Sequence, residues 1–231
     1  MKTSFDAEQL TGRTSTHVIA LAEPPCVLHR AVAAPFLRMR AAAAKAGIDL
    51  APASAFRDFN SQLRIWNEKW TGRRALKARD GRPLEAAALT PAQRVAAILA
   101  WSAPPGASRH HWGTELDVYD RAALPPGYRL QLVPEEYADD GPFARLTAWL
   151  DAEMRRYGFY RPYATDRGGV APEPWHLSHA PTARAASRRL RLATLRRAIE
   201  NGELEGKQAL LAALPRVYAR YVRAVDPPPS A

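Results

Sequence analysis

The chain has 231 residues and a formal net charge of +10 at pH 7, with 47% apolar and 24% charged residues. This length suits one well-cored domain with or without a helical appendage, and the composition excludes wholesale disorder. The single cysteine excludes an intramolecular disulfide and any cysteine-rich zinc finger, so a metal site would have to use His, Asp and Glu.

Residues 1–25 read as a polar N-terminal lead-in that ends at Pro24 and Pro25. They lack a basic segment followed by an apolar one, so the sequence predicts no secretory signal peptide. No run of about 18 apolar residues occurs anywhere, so no membrane span is expected. On these grounds we expect a cytoplasmic protein, unless another route releases it to the cell wall.

Helical and extended patterns follow without the regular rhythm of βαβ units. Short strands are expected early in 49–59, at 114–120 and late in 160–181. The periodicity and the capping residues predict helices over 34–46, within 60–72 and 90–102, and over 142–157, 182–200 and 206–225. Helices that interrupt a few strands indicate an α+β domain.

The segment SRHHWGTELDVYD, residues 108–120, combines two adjacent histidines with three carboxylates. Gly113 permits a bend between His110 and the predicted strand. In a strand that begins after this glycine, Glu115 and Asp117 share one face and the apolar residues between them face the other way. His110 can then fold towards Asp117, a geometry that is feasible but not required.

A second segment, EPWH, places Glu173 three residues before His176. A catalytic zinc site takes three protein ligands from His and carboxylate side chains, and an acidic neighbour can serve as general base. The HExxH signature of many zinc peptidases is absent, so the ligands would come from separated segments. The spacing alone leaves open whether these side chains bind a metal or are ordinary polar residues.

Together these motifs resemble the LAS group of zinc metallopeptidases. SRHHWGTELD fits the pattern S-x-H-x-x-G-x-x-x-D, EPWH fits E-x-W-H, and SAFRDFNSQ resembles the S-x-x-R segment with a glutamine five residues later. Within the group, the sequence is most similar to VanY-type D-alanyl-D-alanine carboxypeptidases, over about residues 34–180. The resemblance implies a zinc peptidase domain at 26–181 with a small antiparallel sheet and flanking helices, like hedgehog and the DD-peptidases.

The resemblance also implies a metal centre. His110, Asp117 and His176 would bind Zn²⁺, and Glu173 would activate the zinc-bound water as the catalytic base.

Three further residues match positions of the substrate pocket. The resemblance implies that Arg57 faces the reacting carbonyl or the terminal carboxylate of the substrate, and that Gln62 and Ser108 line the pocket.

Three other residues stand near these motifs without a matching role. Glu115 occupies a position that is often small or apolar in the family. For His111 and His179, which lie beside the motif histidines, we expect packing or solvent contact rather than metal binding.

The implied reaction is hydrolysis of the terminal D-Ala-D-Ala amide bond of a peptidoglycan-derived peptide. Two alternatives keep the zinc site and change the bond: an L,D-carboxypeptidase or a peptidoglycan endopeptidase.

The last fifty residues fall outside the resemblance. We expect a basic helical extension, 182–225, packed on the domain, and a disordered tail, 226–231. Ten Lys and Arg residues stand against three Glu residues between Arg184 and Arg223. Such a surface attracts polyanions, so a non-enzymatic alternative is a polyanion- or cell-wall-binding protein. No nucleic-acid-binding motif is present, so nucleic acid is not an expected partner.

Overall fold

The computed structural model describes residues 4–228. The α-helices of this part of the chain are α1 (Ala7–Thr11), α2 (Arg30–Lys45), α3 (Phe59–Trp70), α4 (Pro91–Ala100), α5 (Ala144–Glu153), α6 (Ala180–Arg189), α7 (Leu192–Glu200) and α8 (Lys207–Val217). The strands are β1 (Val18–Leu21), β2 (Cys26–His29), β3 (Leu50–Ser54), β4 (Leu76–Lys77), β5 (Pro83–Leu84), β6 (Glu115–Asp120), β7 (Phe159–Tyr160) and β8 (His176–His179).

A four-stranded antiparallel sheet, in the order β3-β6-β8-β7, forms the centre of the domain. β1-β2 and β4-β5 form two further antiparallel pairs that are separate from this sheet. The predicted α+β class, with a small antiparallel sheet and flanking helices, is therefore confirmed. Among residues 4–228, no helix combines the length and the apolar character that crossing a membrane requires.

Strand β6 alternates as its sequence predicts. Leu116 and Val118 are fully buried in the main core, which also contains Phe36 and Met39 of α2. Glu115 and Asp117, which alternate with these residues, therefore project from the opposite face of the sheet. This alternation gives one strand both a core face and a polar face.

The N-terminal residues differ from the polar lead-in that the sequence suggested. Asp6 caps α1 in a capping box with Gln9, and Phe5 is buried in a small cluster with Leu10 and Trp112. β1 then pairs with β2. The segment is polar on average, but its few apolar side chains occupy positions from which they pack into the protein. The average polarity of a segment does not show these positions.

The predicted helix over 182–200 is interrupted. Leu190 and Arg191 have extended backbones, so α6 ends and α7 starts in a new direction. Leu190 is buried against α6, while Leu195 and Ile199 of α7 enter a second core. The break lets one basic segment bury side chains in two places.

This second core joins the C-terminal helices to the N-terminal half of the domain. Leu210 and Leu214 of α8 pack in the same cluster as Trp66 of α3, and the Trp66 indole donates to the Glu205 carbonyl oxygen at 2.9 Å. Beyond α8, the predicted tail 226–231 begins with contacts rather than disorder, because Asp226 accepts hydrogen bonds from the residues at 165 and 167. Residues 229–231 of that tail lie outside the described residues.

Candidate metal centre

His110 approaches the sheet from a single helical turn over Arg109–Trp112. Gly113 ends that turn with φ +65°, in the left-handed region that favours glycine. A Cβ at this position would lie 2.6 Å from Val18 Cγ1 and 2.7 Å from the His29 backbone nitrogen. The bend that the sequence permitted at Gly113 is therefore present, and only glycine fits it.

Two histidines converge on one carboxylate. His110 Nε2 lies 3.3 Å from Asp117 Oδ2, and His176 Nδ1 lies 3.0 Å from Asp117 Oδ1. Asp117 and His176 are directly opposite each other in the β6-β8 ladder. One potential ligand atom from each residue lies within 4.8 Å of the other two, and all three residues are buried. The structure thus brings together the three side chains that the resemblance named as metal ligands.

Backbone contacts orient the first histidine. His110 Nδ1 lies 2.7 Å from the Ala55 carbonyl oxygen, which can only accept a hydrogen bond. In the neutral ring the proton therefore sits on Nδ1, and the lone pair of Nε2 faces Asp117. A backbone carbonyl on the outer nitrogen is the usual way in which proteins orient a histidine ligand.

Glu173 lies beside the cluster. Its Oε2 is 3.4 Å from His176 Nδ1, and its side chain is only 12% exposed. Burial raises the pKa of Glu173 to about 7, and the nearby Asp117 carboxylate adds to this rise, while His176, Lys69 and Arg57 oppose it. A carboxyl group poised near neutrality can both take and return a proton.

The cluster favours a cation electrostatically. Burial opposes ionisation of Asp117, but His110 and His176 hold the pKa of this carboxyl well below its usual range. Burial likewise disfavours a charged His176, yet the Asp117 and Glu115 carboxylates raise its pKa to about 10. Two imidazole nitrogens and a carboxylate oxygen are a donor set that suits zinc. The residues present thus fit a divalent metal.

Arg57 is held in place at the edge of the centre. Its Nη1 donates to Gln62 Oε1 at 2.8 Å, and its Nη2 donates to Ser54 Oγ at 2.9 Å. Gln62 is fully buried, and its amide nitrogen donates to Ser102 Oγ and to the Ala103 carbonyl oxygen. Gln62 therefore contacts Arg57 from behind, whereas the resemblance implied that it lines the pocket.

A cavity of about 770 Å³ opens in front of the cluster. Its walls include Arg57, Ser108, Glu173 and the half-buried Lys69 of α3. This volume lies within the range of ligand pockets. Ser108 thus stands in the wall, at a position that the resemblance associates with the pocket.

Comparison with known proteins decides the family. The sequence profile of the VanY family, D-alanyl-D-alanine carboxypeptidase, matches residues 26–182. The chain belongs to the VanY family. It is thus a LAS-type zinc peptidase of the kind that acts on peptidoglycan peptides, and the resemblance seen in its motifs is confirmed.

Two uncharacterized proteins of Haemophilus influenzae are similar to this VanY-family chain. One is 36% identical over 118 residues, which are 50% of this chain and 90% of the relative. The other is 40% identical over 100 residues, which are 42% of this chain and 68% of the relative.

Solved VanY structures share the fold. VanYB in complex with D-alanine-D-alanine has a TM-score of 0.53 at 22% identity, covering 80% of this chain and 89% of that one. A variant of the D,D-pentapeptidase VanY from a VanB-type vancomycin resistance cassette, in complex with Zn(II), has a TM-score of 0.51 at 22% identity. That match covers 85% of this chain and 92% of the other.

The two remaining histidines near the VanY motifs pack against the protein. His111 Nδ1 lies 2.6 Å from the Arg57 carbonyl oxygen, and its Nε2 accepts from the Gly106 backbone at 3.1 Å. His179 Nδ1 lies 3.0 Å from Thr182 Oγ1. Both rings are buried, which agrees with the expectation of packing contacts.

Lys69 is a pocket residue that the motif comparison did not indicate. It lies twelve positions beyond Arg57, on the last turn of α3, where basic residues are favoured by the helix dipole alone. Lys69 reaches the cavity that Arg57 also lines because distant segments of the chain pack around α3, which the local sequence does not show.

Proposed function

We propose that this chain is a zinc-dependent carboxypeptidase that hydrolyses the terminal D-Ala-D-Ala amide bond of peptidoglycan-derived peptides. The observation that carries the proposal is the buried cluster of His110, Asp117 and His176, with Glu173 beside it in the wall of a ligand-sized cavity. Membership of the VanY family supports the substrate class, and the D-alanine-D-alanine complex of VanYB supports the specific dipeptide end.

Zinc held by the three ligands would polarise the scissile carbonyl and make water more acidic. Glu173 takes a proton from the attacking water, and the hydroxyl adds to the carbonyl carbon. The carbon–nitrogen bond then breaks, and Glu173 returns the proton to the departing amine of D-alanine. A carboxyl pKa near 7 suits both transfers.

Arg57 contributes a fixed positive charge. Its guanidinium is held by Gln62 and Ser54, so it meets the substrate without first having to be ordered. Facing the cavity, it can stabilise the oxyanion that forms on the carbonyl or bind the terminal carboxylate. Lysine at this position would lose the parallel hydrogen bonds of the guanidinium.

The first test separates catalysis from metal binding. We expect Glu173→Ala to retain one equivalent of zinc and to lose at least about 10²-fold in kcat, because a general base is removed and the ligands stay. His176→Ala should lose both zinc and activity. Glu135→Ala is the matched control, since Glu135 lines the same cavity but is exposed. Zinc by elemental analysis and D-alanine release report the two properties, and a wild-type rate in Glu173→Ala would refute the assigned base.

The second test identifies the bond. Muropeptides ending in D-Ala-D-Ala, muropeptides ending in a single D-Ala and cross-linked muropeptides are incubated separately, and the products are weighed by mass spectrometry. We expect loss of one D-alanine from the first substrate only. Release from the second would indicate an L,D-carboxypeptidase, and cleavage of cross-linked peptides alone would indicate an endopeptidase.

A further inference from the structure

Glu115 is a charged residue without exposure. It lies on β6 opposite Ser178 of β8, and its exposed fraction is 0%. Burying a carboxylate is costly unless it is paired and hydrogen-bonded. Its surroundings must therefore supply partners for both oxygens.

Both oxygens have partners. Oε1 accepts from Thr114 Oγ1 and Ser178 Oγ at 2.8 Å each, and from Arg109 Nη2 at 3.2 Å. Oε2 accepts from Arg109 Nε at 3.2 Å and lies 2.9 Å from His176 Nε2. The guanidinium of Arg109 contacts both oxygens and supplies the opposite charge that a buried carboxylate needs, so Glu115 is an acceptor fixed by a two-pronged arginine contact.

The contact with His176 selects one ring nitrogen. Nε2 points at Glu115, whereas Nδ1 lies 3.0 Å from Asp117 Oδ1 and 3.4 Å from Glu173 Oε2. The Nδ1 side of the ring faces the place where Asp117 and His110 converge, so a metal held there would take the lone pair of Nδ1. The ring proton then belongs on Nε2, for which the Glu115 carboxylate is a fixed acceptor.

We propose that Glu115 is a positioning residue that fixes the tautomer and the ring orientation of His176, so that Nδ1 is the nitrogen offered to the metal. The two-pronged contact of Arg109 holds Glu115 in turn. This inference rests on the proposed zinc site. A purely structural role for the Arg109–Glu115 pair would leave the choice of nitrogen unaffected.

One test needs no variant. In the zinc-loaded wild-type protein, two-bond ¹H–¹⁵N correlation spectra of the imidazole rings distinguish a protonated from a metal-bound nitrogen. We expect His176 to carry its proton on Nε2 and to bind zinc through Nδ1, with each ring assigned by through-bond correlation to its own backbone resonances. Zinc on Nε2 would overturn the proposal.

A second test compares two substitutions in the same network. Glu115→Gln removes the charge that faces His176, whereas Thr114→Val removes one hydrogen bond to the other oxygen. We expect Glu115→Gln to weaken zinc binding by about 10- to 100-fold, measured by competition with a chromophoric chelator. The visible spectrum of its cobalt-substituted form should also shift, and Thr114→Val should stay within about twofold of wild type.

The Arg109→Met/Glu115→Gln double variant controls for misfolding of Glu115→Gln. It removes the Arg109 guanidinium, which would otherwise be buried without its carboxylate partner. It should retain the wild-type fold by circular dichroism and share the loss of zinc affinity. Wild-type affinity and spectrum in both Gln variants would overturn the role of Glu115 while leaving the proposed function intact. Failure of the wild-type protein to bind zinc would instead overturn the proposed function.

Discussion

Lys69 illustrates how a single residue can tune the pocket. Burial, together with the charges of Arg74 and Arg57, lowers the pKa of its ammonium group to about 8, although Glu173 opposes the shift. Lys69 is therefore charged at neutral pH and loses its proton as the pH rises through about 8. With Arg57 it gives one part of the cavity wall a positive charge that suits a substrate carboxylate.

At this scale we predict a pH-dependent Michaelis constant. Above pH 8 the KM for a peptide ending in D-Ala-D-Ala should rise about fivefold in the wild-type enzyme. The reason is that neutral Lys69 no longer attracts the substrate carboxylate, a loss of about 1 kcal/mol of binding free energy. Lys69→Arg keeps its charge, so its KM should stay flat between pH 7 and 9. Steady-state kinetics across this range measure both. The same alkaline rise in Lys69→Arg would show that another group titrates.

At the scale of elements, a histidine starts the long helix α2. His29 Nδ1 accepts from the Ala31 backbone nitrogen at 3.1 Å, which only the unprotonated nitrogen can do. Burial, with the neighbouring charges of His17, Arg30 and His179, lowers the pKa of His29 to about 4. The unfolded chain, with a pKa near the ordinary 6.5, therefore takes up this proton first.

The sign of the effect follows from that order. The contribution of neutral His29 to stability is complete above about pH 6.5 and is lost as the pH falls towards 4. We expect His29→Asn, which keeps a cap acceptor without a titrating ring, to lose less unfolding free energy than wild type between pH 7 and 4.5. Urea denaturation at several pH values gives both slopes. Equal slopes would contradict the assignment of this proton to His29.

At the scale of the whole molecule, the basic C-terminal helices share a core with the N-terminal half of the domain. Leu210 and Leu214 are fully buried together with Trp66 of α3, the helix that also carries Gln62 and Lys69. The helices that lie outside the sequence resemblance are thus packed directly behind one wall of the cavity. Their arginines remain mostly exposed, because the apolar stripe faces inwards.

This packing predicts one cooperative unfolding transition. Leu210→Ala should lower the free energy of unfolding by about 2–5 kcal/mol, since it leaves a void in the second core. Leu37→Ala, at a residue 38% exposed, is the control and should change it by less than about 0.5 kcal/mol. Fluorescence and circular dichroism during urea denaturation should give coincident curves. Two separate transitions would show that the extension folds on its own.

The sequence by itself determined the α+β class, and its resemblance to the LAS peptidases pointed to the three side chains that converge. His110, Asp117 and His176 lie in short motifs whose spacing alone left their geometry open, whereas the alternation of β6 is a local pattern that the sequence shows directly. The roles assigned to these residues and to Glu173 remain predictions, because the contacts fit several metal-assisted reactions.

Only the tertiary structure decided what stands around those motifs. The contact of Glu115 with His176 depends on the β6-β8 register, and the place of Gln62 behind Arg57 depends on how α3 packs. The break at Leu190 lets α7 reach a core that lies more than a hundred residues earlier in the chain. Each of these arrangements depends on packing between residues that are far apart in the sequence. Many alternative contacts would have similar energies, so no local sequence pattern specifies the ones that form.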